Sequence, residues 1–304
     1  MIKVGKLILN ICKLNTEKDN KKRRKNNPPY GRFIERINVP YVDDNDVHHQ
    51  FDVIYAPKEK RKNCLIIDIH GGAYMFCEHQ DNYHFACVFV EQGYDVITID
   101  YRLCDGKTIN TKDQVDDIAL CMNYIFSHLK ELELEHDDSI AIMGDSAGGH
   151  FALLISEAIS NKDVAKALGY EFPEVKICST LLNCPVYDFV NISKGTLTKS
   201  GQKRMFGPNY EDEGMFKLLS PRTYIKDFKL PLFVSTCKQD FIGYHSKLLN
   251  EDMQKKDNLY HYEYIDSDEK HVGHVHNLLN TKHPLGKQVN DAMMDFIELS
   301  RKQK

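Results

Sequence analysis

A short apolar run that ends in closely spaced glycines limits this chain to few folds. Residues 140–149 read Ile-Ala-Ile-Met-Gly-Asp-Ser-Ala-Gly-Gly, and the apolar residues 151–155 follow in a helical pattern. A Gly-x-Ser-x-Gly sequence in this setting predicts a strand, a sharp turn and a helix, with the serine on strained backbone. Glycine is expected two positions either side of Ser146, because the turn leaves no room for larger residues. We therefore predict that Ser146 is a nucleophile projecting above a sheet.

Strand and helix patterns alternate along the rest of the chain. The strand candidates are 33–39, 49–55, 64–69, 94–99, 139–143, 175–182, 231–236 and 259–265, and the helix candidates are 81–92, 112–129, 244–256 and 285–301. The first two strands alternate apolar and polar residues, which predicts edge strands with one face in water. The alternation of strands and helices predicts an α/β fold with about eight mostly parallel strands flanked by helices.

The 304 residues are consistent with one large domain, because no Pro/Gly/Ser-rich linker interrupts the middle of the chain. We predict one α/β domain over 30–304, preceded by a basic amphipathic segment at 1–29. Residues 185–222 mix Gly, Pro, Asn and charges between two strand candidates. A long irregular connection at a strand end predicts a small lid or cap over a site. The alternative is a surface insertion without a role.

The charge is unevenly distributed. Residues 1–25 carry nine Lys/Arg against Glu17 and Asp19, whereas the whole chain has a net charge of −4. The acidic remainder argues against nucleic acid as a partner. Residues 1–16 place apolar side chains near one helical face. The expected role is a helix packed over the site, and the alternative is contact of residues 1–25 with an anionic membrane surface.

The cysteines and the apolar runs favour a cytoplasmic location. Nine cysteines are scattered singly, and Cys64, Cys87, Cys178 and Cys237 lie in apolar runs where a reduced thiol packs well. No apolar run approaches the ~20 residues that span a bilayer. The start of the chain is interrupted by charges and lacks a small-residue cleavage site, so a secretory signal is not expected.

A serine nucleophile needs a base, and the base needs an orienting acid. Asp240 follows the strand candidate 231–236 and would lie at the rim where ligands bind in open α/β sheets. Its alternative role is to cap the next helix, and Asp188 and Asp266 are the other candidates for the acid. The base is expected after the last strand, where His271, His274 and His276 cluster. The residues alone leave this choice open.

The third element is His70-Gly-Gly-Ala-Tyr74, directly after the strand candidate 64–69. Two glycines let backbone N–H groups approach a ligand closely, as an oxyanion hole requires. We predict the N–H groups of Gly71, Gly72 and Ala147 as its donors. The alternative is an ordinary glycine turn.

These motifs, together with residues 100–103 (Asp-Tyr-Arg-Leu) and 273–277 (Gly-His-Val-His-Asn), resemble the hormone-sensitive-lipase-like branch of the α/β-hydrolases. The resemblance to its small bacterial esterases, some of them xylan-esterase-like, runs from about residue 30 to the end. It implies an α/β-hydrolase fold and His274 as the base, with His276 at a position where phenylalanine is common.

The expected activity is that of a serine carboxylesterase acting through an acyl-enzyme on a small-molecule ester. Short acyl chains are expected, and the resemblance adds acetylated carbohydrate. The alternatives are an amide, formamide or peptide hydrolase with the same triad, and a non-catalytic ligand-binding homologue. We predict no metal and no organic cofactor, because the sequence contains neither HExxH nor GxxxxGK[ST]. The sequence gives no indication of the oligomeric state.

Overall fold

One eight-stranded sheet organises the chain. The computed structural model describes residues 31–134, 139–190 and 199–303, so the predicted segment 1–29 lies outside the described residues. The strands are β1 (Ile34–Pro40), β2 (Gln50–Tyr55), β3 (Leu65–Ile69), β4 (Asp95–Ile99), β5 (Ile140–Asp145), β6 (Ile177–Asn183), β7 (Leu232–Cys237) and β8 (Tyr260–Ile265). Their order is β1-β2-β4-β3-β5-β6-β7-β8. Only the β1–β2 and β2–β4 pairs are antiparallel, which confirms the predicted, mostly parallel α/β sheet.

Helices cover both faces of this sheet. They are α1 (Tyr83–Val90), α2 (Thr111–Ser127), α3 (Ala147–Ser160), α4 (Lys162–Leu168), α5 (Lys199–Phe206), α6 (Glu213–Leu218), α7 (Gly243–Met253), α8 (His276–Leu279) and α9 (Pro284–Arg301). The four longest predicted helices are present, with ends shifted by a few residues. The short helices α4 and α8 were not predicted, because each has too few turns to show a periodic pattern.

The core is divided by the sheet into two layers, because successive side chains of a strand point to opposite faces. Ile67 and Ile97 belong to the layer beneath α2 and α3. Ile66 and Val96 belong to the layer beneath α1 and α9. All four are fully buried, and each contributes on the order of 1.5–3 kcal/mol. This explains why β3 and β4 carry apolar residues on both faces.

The prediction that both early strands lie at the sheet edge is wrong for β2. Strand β2 lies between β1 and β4, and all its residues after the first are buried. Its charged residue, Asp52, is buried as the partner of His79 Nε2 (3.1 Å) and of the Asn38 N–H (2.7 Å). The polar residue at this position was expected to face solvent. It is instead explained by the buried ion pair between Asp52 and His79.

The carboxyl ends of the central parallel strands meet at one rim of the sheet. The loops that leave β3, β5, β7 and β8 at this rim carry residues 70–74, Ser146, Asp240 and His274. Such a rim is where open α/β sheets bind ligands. No helix within the described residues is long and apolar enough to cross a membrane.

Candidate active site

Ser146 lies on a strained turn between β5 and α3. Its backbone angles are φ 54° and ψ −115°, which a non-glycine residue adopts only where the surroundings enforce it. The Ser146 N–H donates to Asn183 O (2.8 Å), and Ser146 O accepts from the Val186 N–H (3.2 Å). A Cβ on Gly144 would lie 2.3 Å from Gly148 O. The turn therefore needs its glycines for the close approach that the sequence predicted.

The structure brings Ser146, His274 and Asp240 together in a hydrogen-bonded series. His274 Nε2 lies 2.9 Å from Ser146 Oγ, and His274 Nδ1 lies 2.7 Å from Asp240 Oδ1. A carboxylate only accepts hydrogen bonds, so Nδ1 carries the proton and Nε2 is free to accept from the serine. The arrangement is that of a serine nucleophile, its base and an orienting acid.

The Asp240 carboxylate is buried but held in its charged form. Burial opposes the charge, but hydrogen bonds from His274, from Thr236 Oγ1 (2.8 Å) and from the Ile242 N–H (3.1 Å) outweigh it. These contacts lower the pKa of Asp240 below its ordinary value. Thr236 was missed by sequence reasoning, because a threonine in a strand carries no signal of its partner.

The other candidates for the acid and the base have different partners. Asp188 pairs with Arg222 (3.1 Å), and Asp266 pairs with Lys238 (3.5 Å). His271 is exposed, and its carbonyl accepts from Asn280. His276 is buried at the start of α8, and burial lowers its pKa. The hydrogen bond to Ser146 belongs to His274.

The prediction that Gly71 donates to an oxyanion is wrong. The Gly71 N–H donates to the buried Asp145 Oδ1 at 2.9 Å, so it is already used. Asp145 Oδ1 also accepts from Asn82 Nδ2 (3.0 Å), which in turn contacts Asp68 Oδ2 (2.9 Å). Burial, and then the charge of Asp145, raises the pKa of Asp68 to about 8. The sequence did not predict the hydrogen bond between Gly71 and Asp145, because these residues are 74 positions apart.

The N–H groups of Gly72 and Ala73 on the loop after β3, and of Ala147 at the start of α3, are the other donor candidates. None of them donates to another residue in the described part of the chain. Gly72 and Ala73 have positive φ angles of 113° and 52°. A Cβ on Gly148 would lie 1.9 Å from Ile69 O, so the first turn of α3 packs directly against the start of this loop. Ala73 is an additional donor candidate that the glycine pattern did not indicate.

His70 fixes the start of the loop that follows β3. Its Nε2 lies 3.0 Å from Asp100 Oδ1, and its ring stacks on Tyr101 with the centroids 4.3 Å apart. Tyr101 Oη donates to His70 O (2.6 Å). These contacts fix the backbone from which residues 71–74 extend.

A sulfur ligand lies beside the acid and the base. Within the described residues, one set of three potential metal ligands was found: Cys184, Asp240 and His274, whose ligand atoms lie within 4.8 Å of one another. Asp240 and His274 are hydrogen-bonded to each other, and Cys184 Sγ accepts from the Val275 N–H (3.3 Å). Burial raises the pKa of the Cys184 thiol.

The connection after β6 packs against helix α3 and against the loop that follows β3. His150 Nε2, on α3, lies 2.6 Å from Leu219 O. Phe189 packs on Tyr74 and on His150, with ring centroids 5.7 and 4.5 Å apart. Residues 191–198 of this connection lie outside the described residues.

A hydrogen-bonded Ser–His–Asp series at the carboxyl ends of a mostly parallel sheet defines the α/β-hydrolase class. The family follows from the sequence: the BD-FAE model matches residues 51–253, two thirds of the chain. The chain belongs to the BD-FAE family.

Known proteins with this fold include several esterases. The chain is 20% identical to an inhibited esterase B from Lactobacillus rhamnosis, with a TM-score of 0.85 over 99% of this chain and 97% of that one. A carbohydrate esterase from gut microbiota is 16% identical, with a TM-score of 0.71 over 90% and 99% of the two chains. At these identities the likeness establishes the fold.

One further relative, a formamidase, matches part of the chain. The kynurenine formamidase of Drosophila melanogaster is 24% identical over 173 residues, which are 57% of this chain. The match covers 53% of that relative, so this chain corresponds to about half of its length.

Proposed function

We propose that this protein is a serine hydrolase that cleaves short-chain carboxylic esters, with Ser146, His274 and Asp240 as its catalytic triad. The supporting observation is the series of two hydrogen bonds, 2.9 Å from Ser146 to His274 and 2.7 Å from His274 to Asp240. In this order a hydroxyl can be deprotonated by a neutral imidazole whose opposite nitrogen is held by a carboxylate.

The reaction proceeds in two acyl transfers. Ser146 Oγ attacks the ester carbonyl while His274 Nε2 takes its proton, and His274 then returns that proton to the leaving alcohol. Water attacks the resulting acyl-enzyme by the same route and releases the acid. Asp240 stays ionised and stabilises the imidazolium, consistent with its lowered pKa.

Backbone N–H donors stabilise the negative charge on the tetrahedral intermediate. The N–H of Ala147 opens helix α3, where the helix dipole favours an anion. Gly72 and Ala73 complete the proposed oxyanion hole, in place of Gly71. Preorganised donors of this kind typically contribute about 10²–10³ in rate each.

One part of the chain is proposed to cover the site. The connection 185–222 acts as a small cap, a role supported by its contacts with Tyr74 and His150. A cytoplasmic location is proposed from the reduced, buried thiols of Cys64, Cys87, Cys178 and Cys237.

Hydrolysis of p-nitrophenyl acetate and butyrate, together with labelling by a fluorophosphonate, tests this function. The wild type should turn over both esters and be labelled at Ser146. Ser146→Ala should lower kcat by at least about a thousandfold, because it removes the nucleophile. Ser160→Ala, at the other end of α3, is the matched control and should retain activity. Full hydrolysis by Ser146→Ala would exclude the proposed triad.

A formamide is the second candidate substrate, favoured by the match to a kynurenine formamidase. An aryl formamide and the formate ester of the matching phenol share the acyl group and differ in the bond cleaved. Amides are intrinsically less reactive than esters, so a higher kcat/KM for the formamide requires recognition of it by the protein. Acetylated carbohydrate, the third substrate to assay, is supported by the fold shared with a carbohydrate esterase.

A further inference from the structure

A large exposed aromatic side chain lies directly beside the proposed base. Phe241 is 70% exposed, the highest value among the large apolar residues of the described chain. Its ring centroid lies 4.5 Å from that of His274, with the planes inclined at 52°. Tyr244, at the start of α7, is 41% exposed. An exposed apolar group beside a reactive centre indicates a binding surface more strongly than an isolated one elsewhere on the protein does.

The position of Phe241 is set by the same backbone that holds the acid. The Asp240 N–H donates to Cys237 O (3.1 Å), and the Gly243 N–H donates to Asp240 O (3.0 Å). The Asp240 carboxylate accepts from the Ile242 N–H on the far side of Phe241 (3.1 Å). Phe241 is therefore held in a closed turn, so little backbone freedom is lost when a ligand contacts its ring.

The chemistry of the proposed reaction determines what meets this ring. His274 returns its proton from Nε2 to the leaving group, so the leaving oxygen must come within hydrogen-bond distance of that atom. A substituent on that oxygen then extends past the imidazole, where Phe241 packs. The acyl carbon, in contrast, lies between Ser146 and the backbone donors.

We propose that Phe241, together with Tyr244, forms a leaving-group subsite that favours aromatic alcohols over aliphatic ones; this rests on the proposed hydrolase function. Two aromatic side chains prefer tilted or edge-to-face contact with another ring. The electrostatics also favour a neutral group, because Lys238 of the same loop is engaged by Asp268 (2.9 Å) and Asp266 (3.5 Å). Tyr244 lies three positions after Phe241, in the first turn of α7.

The test compares phenyl acetate with ethyl acetate, which share the acyl group. The measured quantity is the ratio of their kcat/KM values in the wild type, Phe241→Ala and Phe241→Leu. The intrinsic reactivities of the two esters cancel when the ratio of a variant is divided by that of the wild type. Phe241→Ala should lower the ratio about three- to tenfold, the size expected for one lost aromatic contact. Phe241→Leu, which keeps apolar area, should lower it less.

Leu120→Ala is the matched control, because Leu120 is also large, apolar and exposed (52%) but lies on α2. It should leave the ratio unchanged. The rate of fluorophosphonate labelling at Ser146 reports on the triad independently, because the departing fluoride is too small to contact Phe241. In Phe241→Ala this rate should stay close to that of the wild type.

An unchanged ratio in Phe241→Ala would overturn the subsite. Equal losses for both esters, with slower labelling, would also overturn it, because Phe241 would then only support His274. A wild type that neither hydrolyses esters nor is labelled would instead refute the proposed function itself. The labelling measurement thus separates failure of the subsite from failure of the hydrolase assignment.

Discussion

At the scale of single residues, Asp145 links two parts of the site. It directly precedes Ser146 in the chain, and its Oδ1 accepts the Gly71 N–H (2.9 Å) and Asn82 Nδ2 (3.0 Å). The serine turn and the proposed oxyanion loop are thereby joined through one buried carboxylate. A carboxylate that accepts a backbone N–H makes a stronger hydrogen bond than a neutral acceptor does.

Loss of the hydrogen bonds to Asp145 should lower kcat more than it weakens substrate binding. We expect Asp145→Ala to lower kcat about tenfold to a hundredfold, because a hydrogen bond to a charged group contributes roughly 1.5–3 kcal/mol. KM should change little if the loop acts mainly on the transition state. Asp145→Asn keeps an acceptor for Gly71 and should lose less. Steady-state kinetics with p-nitrophenyl acetate measure both, and wild-type kcat in Asp145→Ala would contradict the role.

At the scale of elements, the sequence predicted the eight strands to within about two residues at each end. Each buried parallel strand is a short apolar run, so the signal is local. Hydrogen bonds and ion pairs between residues far apart in the sequence leave no such local signal. The edge position predicted for β2 failed because Asp52 is buried against His79, and the choice of Gly71 failed because Asp145 occupies its N–H.

The site was predicted in part for the same reason. Gly144, Ser146 and Gly148 lie in one contiguous motif, so their close packing follows from the sequence. His274 was distinguished from its neighbours by a resemblance rather than by its own pattern. Phe241 carried no sequence signal, since its exposure becomes evident only when the Asp240 turn is folded.

The contact between α3 and β3 should be intolerant of one added methyl group. In Gly148→Ala the new Cβ would meet Ile69 O at 1.9 Å and His70 O at 2.5 Å, so the helix or the loop must move. We expect a loss of about 1–3 kcal/mol in the free energy of unfolding, with at least a tenfold loss of kcat, because Ala147 shifts with the helix.

The surface helix α6 offers a control for that change. A Cβ on Gly214 would meet only the end of the Asp212 side chain, at 3.0 Å. Gly214→Ala should therefore remain active, and alanine favours a helix over glycine by about 1 kcal/mol. Urea unfolding and kcat are measured for both variants. Equal stability and activity of Gly148→Ala and the wild type would show that the elbow is looser than the structure indicates.

At the scale of the whole molecule, a buried cluster of charges connects the sheet to its loops. Asp100, at the end of β4, accepts from His48 (3.2 Å), His70 (3.0 Å) and His79 (3.2 Å). Burial disfavours the charge of His79, but its hydrogen bonds to Asp100 and Asp52 outweigh this and raise its pKa to about 9. The folded protein therefore holds a proton on His79 that the unfolded chain releases near pH 6.5.

This cluster makes the stability fall as the pH rises from about 6.5 to about 9. In that interval the folded state binds one more proton than the unfolded state at His79, so the slope of the unfolding free energy against pH is negative. The contribution is fully present below pH 6.5 and is lost as the pH passes about 9. Relative to the wild type, His79→Gln should remove up to about 1.4 kcal/mol per pH unit of this slope, measured by urea unfolding at several pH values.

Asp68 contributes a slope of the same sign over a lower interval, which lets the two groups be separated. Its raised pKa, about 8, means that the folded state keeps a proton which the unfolded chain loses near pH 4, so stability falls between these values. Asp68→Asn cannot ionise and should flatten the curve between pH 4 and 8, whereas His79→Gln should flatten it between about 6.5 and 9. If neither variant changes its own interval, the two buried groups do not hold these protons, and the pH dependence must arise elsewhere in the chain.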